Sequence, residues 1–265
     1  MHLLFTDETN VTPSDAAKFF VYGGLIVPGE SLTTLDHEID KIRVAAGYKP
    51  CDLLKFNTAT RPAHVEVTAA TEAKRRILAL CRDTGCKFIV HVILHKIIAS
   101  QPQDQQTQWA ADYVIGRFNY FLKETNDEGV CVIDNLPNGS QWSYLADKFC
   151  KGLAVDSSTV PLDRIRLFAA SCIGASHAMS AVDIVLGSFR YCLNSPSNPD
   201  VARQMFRDVA GLMWHKKVGD NLYVRGRGLI LRPEVEMIAV TTYRQEYDAL
   251  IEHFKGLMVV NEDAA

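Results

Sequence analysis

The order of hydrophobic patterns along this chain predicts an α/β fold, with one mixed sheet flanked by helices and a helical C-terminal extension. Three observations carry that expectation. Apolar runs of strand length, at residues 2–7, 19–27, 86–95 and 130–134, alternate with longer segments whose apolar residues recur every three or four positions. The 265 residues, 48% of them hydrophobic, are enough to bury one large core. No apolar run reaches the roughly 18 residues of a membrane span, so no membrane partner is expected.

Residues 2–7 read as a strand, and Asp7-Glu8-Thr9-Asn10 opens a polar turn with Pro13 beyond it. Residues 19–27 form a second strand able to pair with the first as an antiparallel hairpin. Gly23-Gly24 at its centre mark a bulge or a close backbone approach, and Pro28-Gly29 ends it. Residues 31–46 place Leu32, Leu35, Ile39, Ile42 and Ala46 on one helical face. A turn-rich stretch over 47–68 contains Cys51-Asp52-Leu53-Leu54-Lys55-Phe56. Helical spacing resumes over 69–83, with Gly85 as the stop. Residues 86–95 are a strand on which His91 and His95 share a face with Ile93. Both read as core or surface histidines ahead of zinc ligands. A long helix over 106–124, a strand over 130–134 and a helix over 140–153 follow. Residues 164–169 alternate as an edge strand does, and 178–193 form an apolar helix. The loop 194–199 separates that helix from another at 200–215. Residues 221–232 read as a basic strand or hairpin, 234–255 as a helix, and 261–265 as a frayed tail. Residues 1–193 are thus expected to form a core, and 194–265 an extension packed on the same domain.

The formal net charge of −3 disfavours a protein that coats nucleic acid non-specifically, while leaving room for a local basic groove. Lys216, Lys217, Arg225, Arg227 and Arg232 are the densest basic set, either a solvated face or a surface that meets phosphates. Seven cysteines, an odd number with no CxxC pair, read as buried thiols in a reducing, cytoplasmic compartment. The first residues lack the basic region and long apolar run of a secretory leader.

The chemistry lies in three acids set in apolar stretches: Asp7 after Leu3-Leu4-Phe5, Asp134 after Val130-Cys131-Val132-Ile133, and Asp183 within Ala181-Val182-Asp183-Ile184-Val185-Leu186. An ionised carboxylate is costly to bury unless it is paired or binds a cation. Acids from two strands and a later helix can converge if the strands are neighbours and the helix crosses their ends. Magnesium or manganese suits such an all-oxygen set. Each acid also has a plainer reading: Asp7 and Asp134 as turn openers, Asp183 as half of a buried ion pair. Glu8 points to the opposite face of an extended strand and joins the centre only if the chain turns there. Lys55 either meets a phosphate or an acid, or is a surface lysine with a buried stem.

The segments Phe5-Thr6-Asp7-Glu8-Thr9 and Phe19-Phe20-Val21-Tyr22-Gly23-Gly24-Leu25-Ile26-Val27, with Leu54-Lys55-Phe56, Val132-Ile133-Asp134 and Val182-Asp183-Ile184-Val185-Leu186-Gly187-Ser188, occur in the order of the DUF3800 family's motifs, and the chain resembles that family over residues 3 to 193. Thr9, Ser180 and Val182 depart from the family's usual serine, glutamine and alanine. The resemblance implies a ribonuclease H-like fold with a divalent-metal centre. Asp7, Asp134 and Asp183 would be its acidic positions, with Glu8 and Lys55 nearby.

The expected function is therefore magnesium- or manganese-dependent phosphodiester hydrolysis on nucleic acid. Asp7, Asp134 and Asp183 would hold metal, Glu8 and Lys55 would complete the catalytic set, and the basic residues from 216 to 232 would meet the backbone. Two alternatives stand beside it. One is a catalytically inactive binding or assembly protein of the same fold, in a phage-defence or mobile-element setting; the other is hydrolysis of a small phosphorylated substrate. A homo-oligomer is left open.

Overall fold

A computed structural model of the chain describes residues 1–136, 139–155, 158–194, 198–219 and 221–258. Its centre is a six-stranded mixed sheet built from β1 (His2–Thr9), β2 (Phe19–Pro28), β3 (Lys87–Leu94), β4 (Gly129–Asp134), β7 (Ile165–Ser171) and β10 (Leu229–Leu231), in the order β10-β3-β2-β1-β4-β7. β2 runs antiparallel to β1 and β3, whereas β4 pairs parallel with β1, β7 with β4, and β10 with β3. Five strands therefore point one way, and their carboxyl ends share one end of the sheet.

Helices cover both faces. Phe5, Val21, Leu25, Val90 and Val132 face one core, which is closed by α1 (Leu32–Ala45), α2 (Val67–Asp83), α6 (His177–Leu193), α7 (Pro199–Leu212) and α8 (Thr241–Met258). Leu4, Tyr22, Ile26, Ile89 and Cys131 alternate to the other face, under α4 (Gln103–Glu124) and α5 (Gln141–Lys151). The strict alternation along β1, with Leu4 on one side and Phe5 on the other, follows from the pleat. Among the described residues, no helix is long and apolar enough to cross a membrane.

The two glycines of β2 are a close approach and not a bulge, because the β1–β2 register runs unbroken from His2 opposite Pro28 to Thr9 opposite Val21. A Cβ on Gly23 would lie 2.6 Å from the Leu186 side chain of α6. One on Gly24 would lie 2.5 Å from Leu4 and 3.2 Å from Val114 of α4. Bare backbone at adjacent positions lets a helix settle on each face. Gly85, with φ of +77°, takes the left-handed conformation that follows α2 and lets the Cys86 N–H return to the Cys81 carbonyl.

Several sequence expectations shift. β1 continues through Thr9, so the polar turn starts beyond it and not at Asp7. His95 is not on the strand with His91: it opens the single turn α3 (His95–Ile98), and its Nε2 meets the Asn10 carbonyl. The helix expected through 153 stops at Lys151, and β5 (Leu153–Val155) pairs with β6 (Ser158–Val160) in a small ribbon. The basic stretch 221–232 is not a hairpin of two paired strands: within it only an isolated bridge joins Arg225 to Leu229. β9 (Asn221–Tyr223) forms a ribbon with β8 (Lys216–Val218), while β10 joins the main sheet. A 3-10 turn at Val235–Met237 precedes α8, which begins at Thr241. Within the 194–199 loop, residues 195–197 lie outside the described residues, as does the 261–265 tail.

Candidate metal centre

The β1–β4 register pairs Phe5 with Val132, and continuing it by two residues sets Asp7 level with Asp134. Both carboxylates then share the face of Phe5 and Val132, the face that α6 covers. Gly23 lies directly opposite Asp7 on β2, and its missing side chain is what admits Leu186 of α6. The same helix carries Asp183 to this end of the sheet. Its ring of buried neighbours, Val182, Ile184, Val185 and Leu186, fixes which way the helix faces.

Glu8 lies in the next pleat. It pairs with Tyr22 and faces the α4 side, and because β1 is still extended there it does not swing round to join the others. Its carboxyl nevertheless feels Asp134 across the sheet's end, so a charge on either acid raises the cost of a charge on the other.

A loop segment closes the site from above. The Phe56 N–H donates to Asp183 Oδ2 at 2.6 Å. One helical turn on, a Cβ at Gly187 would stand 2.3 Å from the Phe56 ring, so the ring sits where any side chain would be. Asp183 and Gly187, four residues apart on one helix face, thus grip the same residue by its backbone and its ring. Leu54 is fully buried beside them, and Lys55, between these anchors, is held near enough for its charge to favour the ionised forms of Asp134 and Asp183.

Lys74 of α2 secures the loop from the other side. Its Nζ donates to the Phe56 carbonyl at 3.0 Å and to Thr58 Oγ1 at 2.6 Å, and it lies 5.1 Å from the centre of the Phe56 ring. Burial pulls the Lys74 ammonium below its ordinary pKa while Asp183 pulls it back up. The Arg190 guanidinium stands 5.7 Å from the same ring and also lowers Asp183. The sequence reading missed Lys74. Its signal was position: it falls on the buried stripe of α2 that runs through Ala70, Ala73, Ile77 and Cys81.

The electrostatics differ across the cluster: Asp7 faces other acids, whereas Lys55, Lys74 and Arg190 favour the ionised form of Asp183. Burial first, then the fields of Asp183, Glu8 and Asp134, push the Asp7 carboxyl from 3.8 up to about 8. Burial and Asp134 push Glu8 from 4.5 up to about 7. Asp134 and Asp183 are raised as well, chiefly by burial. Among the described residues, no lysine or arginine lies within ion-pair distance of any of the four. The nearest polar contacts are backbone N–H groups: Glu8 to Asp7 at 2.9 Å, Asn135 to Asp134 at 2.8 Å, and Phe56 to Asp183. Each aspartate so held has a second oxygen for another partner.

A hard divalent cation fits this donor set in kind: oxygen ligands, surplus negative charge, and burial that a cation would offset. Asp7, Asp134 and Asp183 would hold it. Among the described residues, no three Asp, Glu, His or Cys side chains stand together as a metal cage.

The basic set is not brought here. Arg225 pairs with Glu236 and Glu234, and Arg227 pairs with Glu124 while lying 4.9 Å from the Trp214 ring. Trp214 hydrogen-bonds Phe88 at the start of β3, so Arg227 is at the far end of the sheet from the acids. Lys216 and Lys217 are exposed on the β8–β9 ribbon. Arg232 follows β10 at the acidic end, but three strands from β1, and pairs with Glu234.

No family model matches the chain, and no curated protein matches it. Among solved structures it is similar to Bst-RNase HIII in complex with Mn2+, with a TM-score of 0.41 and 12% identity over 93% of this chain and 70% of that one. It is also similar to a glutamine-to-alanine mutant protein of Bst-RNase HIII, with a TM-score of 0.36 and 14% identity over 79% of this chain. The chain spans 64% of that mutant protein's length. Likeness at this level assigns no residue a role.

Proposed function

We propose that this chain is a ribonuclease H-like member of the DUF3800 family that hydrolyses phosphodiester bonds in nucleic acid, with magnesium or manganese held by Asp7, Asp134 and Asp183. The observation that carries this reading is the convergence of carboxylates from β1, β4 and α6 at one end of the sheet, with Asp7 and Asp134 raised by burial and by neighbouring acids and no ion-paired lysine or arginine among the described residues. A bound divalent ion would supply the positive charge that activates water and stabilises the leaving oxygen.

The chain's own residues prepare that site. Asp7 and Glu8 hold protons to about pH 8 and about pH 7, and those protons must leave before either carboxylate can serve as a ligand or base. Lys55, fixed between Leu54 and Phe56, offers a cation to a phosphate entering over Asp134 and Asp183. Lys74 acts through Phe56, holding the loop in place. Arg225, Arg227, Lys216 and Lys217 have no part in this reading, because they lie away from the acids and two of them already pair with glutamates.

Cleavage of single- and double-stranded DNA and RNA with manganese, comparing the parent with Asp134→Asn and Asp183→Asn, tests the proposal. Activity in the parent and its loss in both variants is the expected result; equal cleavage by all three rejects the catalytic assignment. The inactive-binder reading is favoured by one feature, the engagement of Asp7, Asp134 and Asp183 by backbone N–H groups without a formed cage. Nucleic-acid binding without cleavage under every metal condition would select it.

A further inference from the structure

On the opposite face of the sheet, a cleft of about 660 Å³ opens between β3, α4 and the start of β5. Pockets that take small ligands commonly measure about 300–1,000 Å³. Ile93, Ile97, Ile98 and Leu153 give it apolar walls. Trp109 and Tyr113, one helical turn apart on α4, are 42% and 41% exposed and line this cleft. The cleft also contains His91, which is 1% exposed. Neither His91 nitrogen has a hydrogen-bond partner among the described residues, and neither does Arg232 Nε, also buried at the cleft.

Buried polar atoms of this kind are almost always partnered, and leaving one unpaired costs about 1–3 kcal/mol. A ligand that fills the cleft and meets these atoms has constrained chemistry. Burial and the Arg232 charge hold the His91 ring neutral, so one of its nitrogens donates and the other accepts. Arg232 Nε only donates. A carboxylate or a phosphodiester, which only accepts, would leave the imidazole acceptor unmet. A ligand that meets both His91 and Arg232 carries a donor and acceptors, and one that also lies against Trp109 is flat and apolar on its faces.

We propose that this cleft binds a heterocyclic base, the exposed Trp109 ring providing the stacking surface and His91 with Arg232 Nε reading the base's polar edge. The base could belong to a free nucleoside or to an unpaired position in a strand, and both present the same chemistry. His91 pairs with Tyr22, and Tyr22 with Glu8, so the cleft lies two strands, about 10 Å, from the acidic end. The site uses none of the metal-centre residues and stands whether or not the chain cleaves anything.

Calorimetry without metal, in chelator, tests it with adenosine, guanosine, cytidine, uridine and a five-nucleotide single strand. The parent should bind at least one of these saturably, and Trp109→Ala and His91→Phe should each weaken it by about tenfold or more. His91→Phe should leave the urea midpoint unchanged or higher, since it removes two unpaired polar atoms from a buried site, and so separates lost recognition from lost folding. Asp183→Asn should bind as the parent does. Binding of nucleosides and strand together supports a nucleotide ligand, and binding of the strand alone supports a strand position. No saturable heat with any probe, undiminished binding in Trp109→Ala and His91→Phe, or loss in Asp183→Asn would overturn the proposal.

Discussion

Replacing Asp7 with asparagine should stabilise the protein, and the gain should grow with pH. Asparagine keeps an oxygen to accept the Glu8 N–H that Asp7 now accepts at 2.9 Å, and it removes the charge. In the fold Asp7 holds its proton up to about pH 8, against 3.8 for an ordinary aspartate. Across that window the folded state binds a proton that the unfolded chain has released, so parental stability falls as pH rises and the loss is complete above about pH 8. Roughly four pH units at about 1.4 kcal/mol each set an upper bound near 6 kcal/mol. Asp7 is only partly buried, and Glu8, Asp134 and Asp183 share protons with it, so solvent and coupling reduce the expected difference to about 2–4 kcal/mol at about pH 9. Urea unfolding of parent and Asp7→Asn in chelator, at about pH 4, 6.5 and 9, gives the comparison directly. The two should be nearly equal at the acid end and should diverge steadily. Parallel curves would refute the claim that Asp7 sits in a repelling cluster, as would a variant less stable than the parent at high pH.

Gly187→Ala should destabilise by about 1–3 kcal/mol, the usual cost of overpacking, because its Cβ would enter the Phe56 ring. Hydrogen exchange over residues 53–60 should quicken more than in the sheet, and uniform protection would count against the docking of that loop on α6. Tyr22→Phe removes the hydroxyl that meets Thr6 Oγ1 at 2.7 Å with both groups buried, and should cost about 1–2 kcal/mol by urea unfolding. A neutral result there would mean that Thr6 finds another partner.

The strands and helices that face one continuous core were legible in the sequence, because hydrophobic period alone marks them: the β1–β2 hairpin, the amphipathic α1 and the apolar α6. What was not legible depends on partners distant in sequence. Leu229-Ile230-Leu231 fell inside the expected basic strand or hairpin over 221–232, but its place in the main sheet against the β3 edge did not show in the sequence. The arginines around it read as a solvated face or a phosphate surface; Glu124 of α4 comes from far along the chain to pair with Arg227, while Glu234 and Glu236 just beyond the stretch pair with Arg232 and Arg225. At the candidate site, the acids stood out because charge interrupts apolar runs. The gripping of Phe56 by Asp183, Gly187 and Lys74 did not, because a glycine's usefulness lies in the ring that occupies its empty side. The unpartnered His91 looked like any core histidine, since only the fold reveals that nothing in the described chain reaches its nitrogens.

Calorimetric titration of manganese at about pH 6 and about pH 8 tests most directly whether Asp7, Asp134 and Asp183 form a metal site. Saturable heat should appear, strengthening by about tenfold or more at the higher pH as the protons on Asp7 and Glu8 leave, and vanishing in Asp183→Asn. Absence of saturable heat at millimolar metal, or an affinity that ignores both pH and the Asp183 substitution, would contradict it.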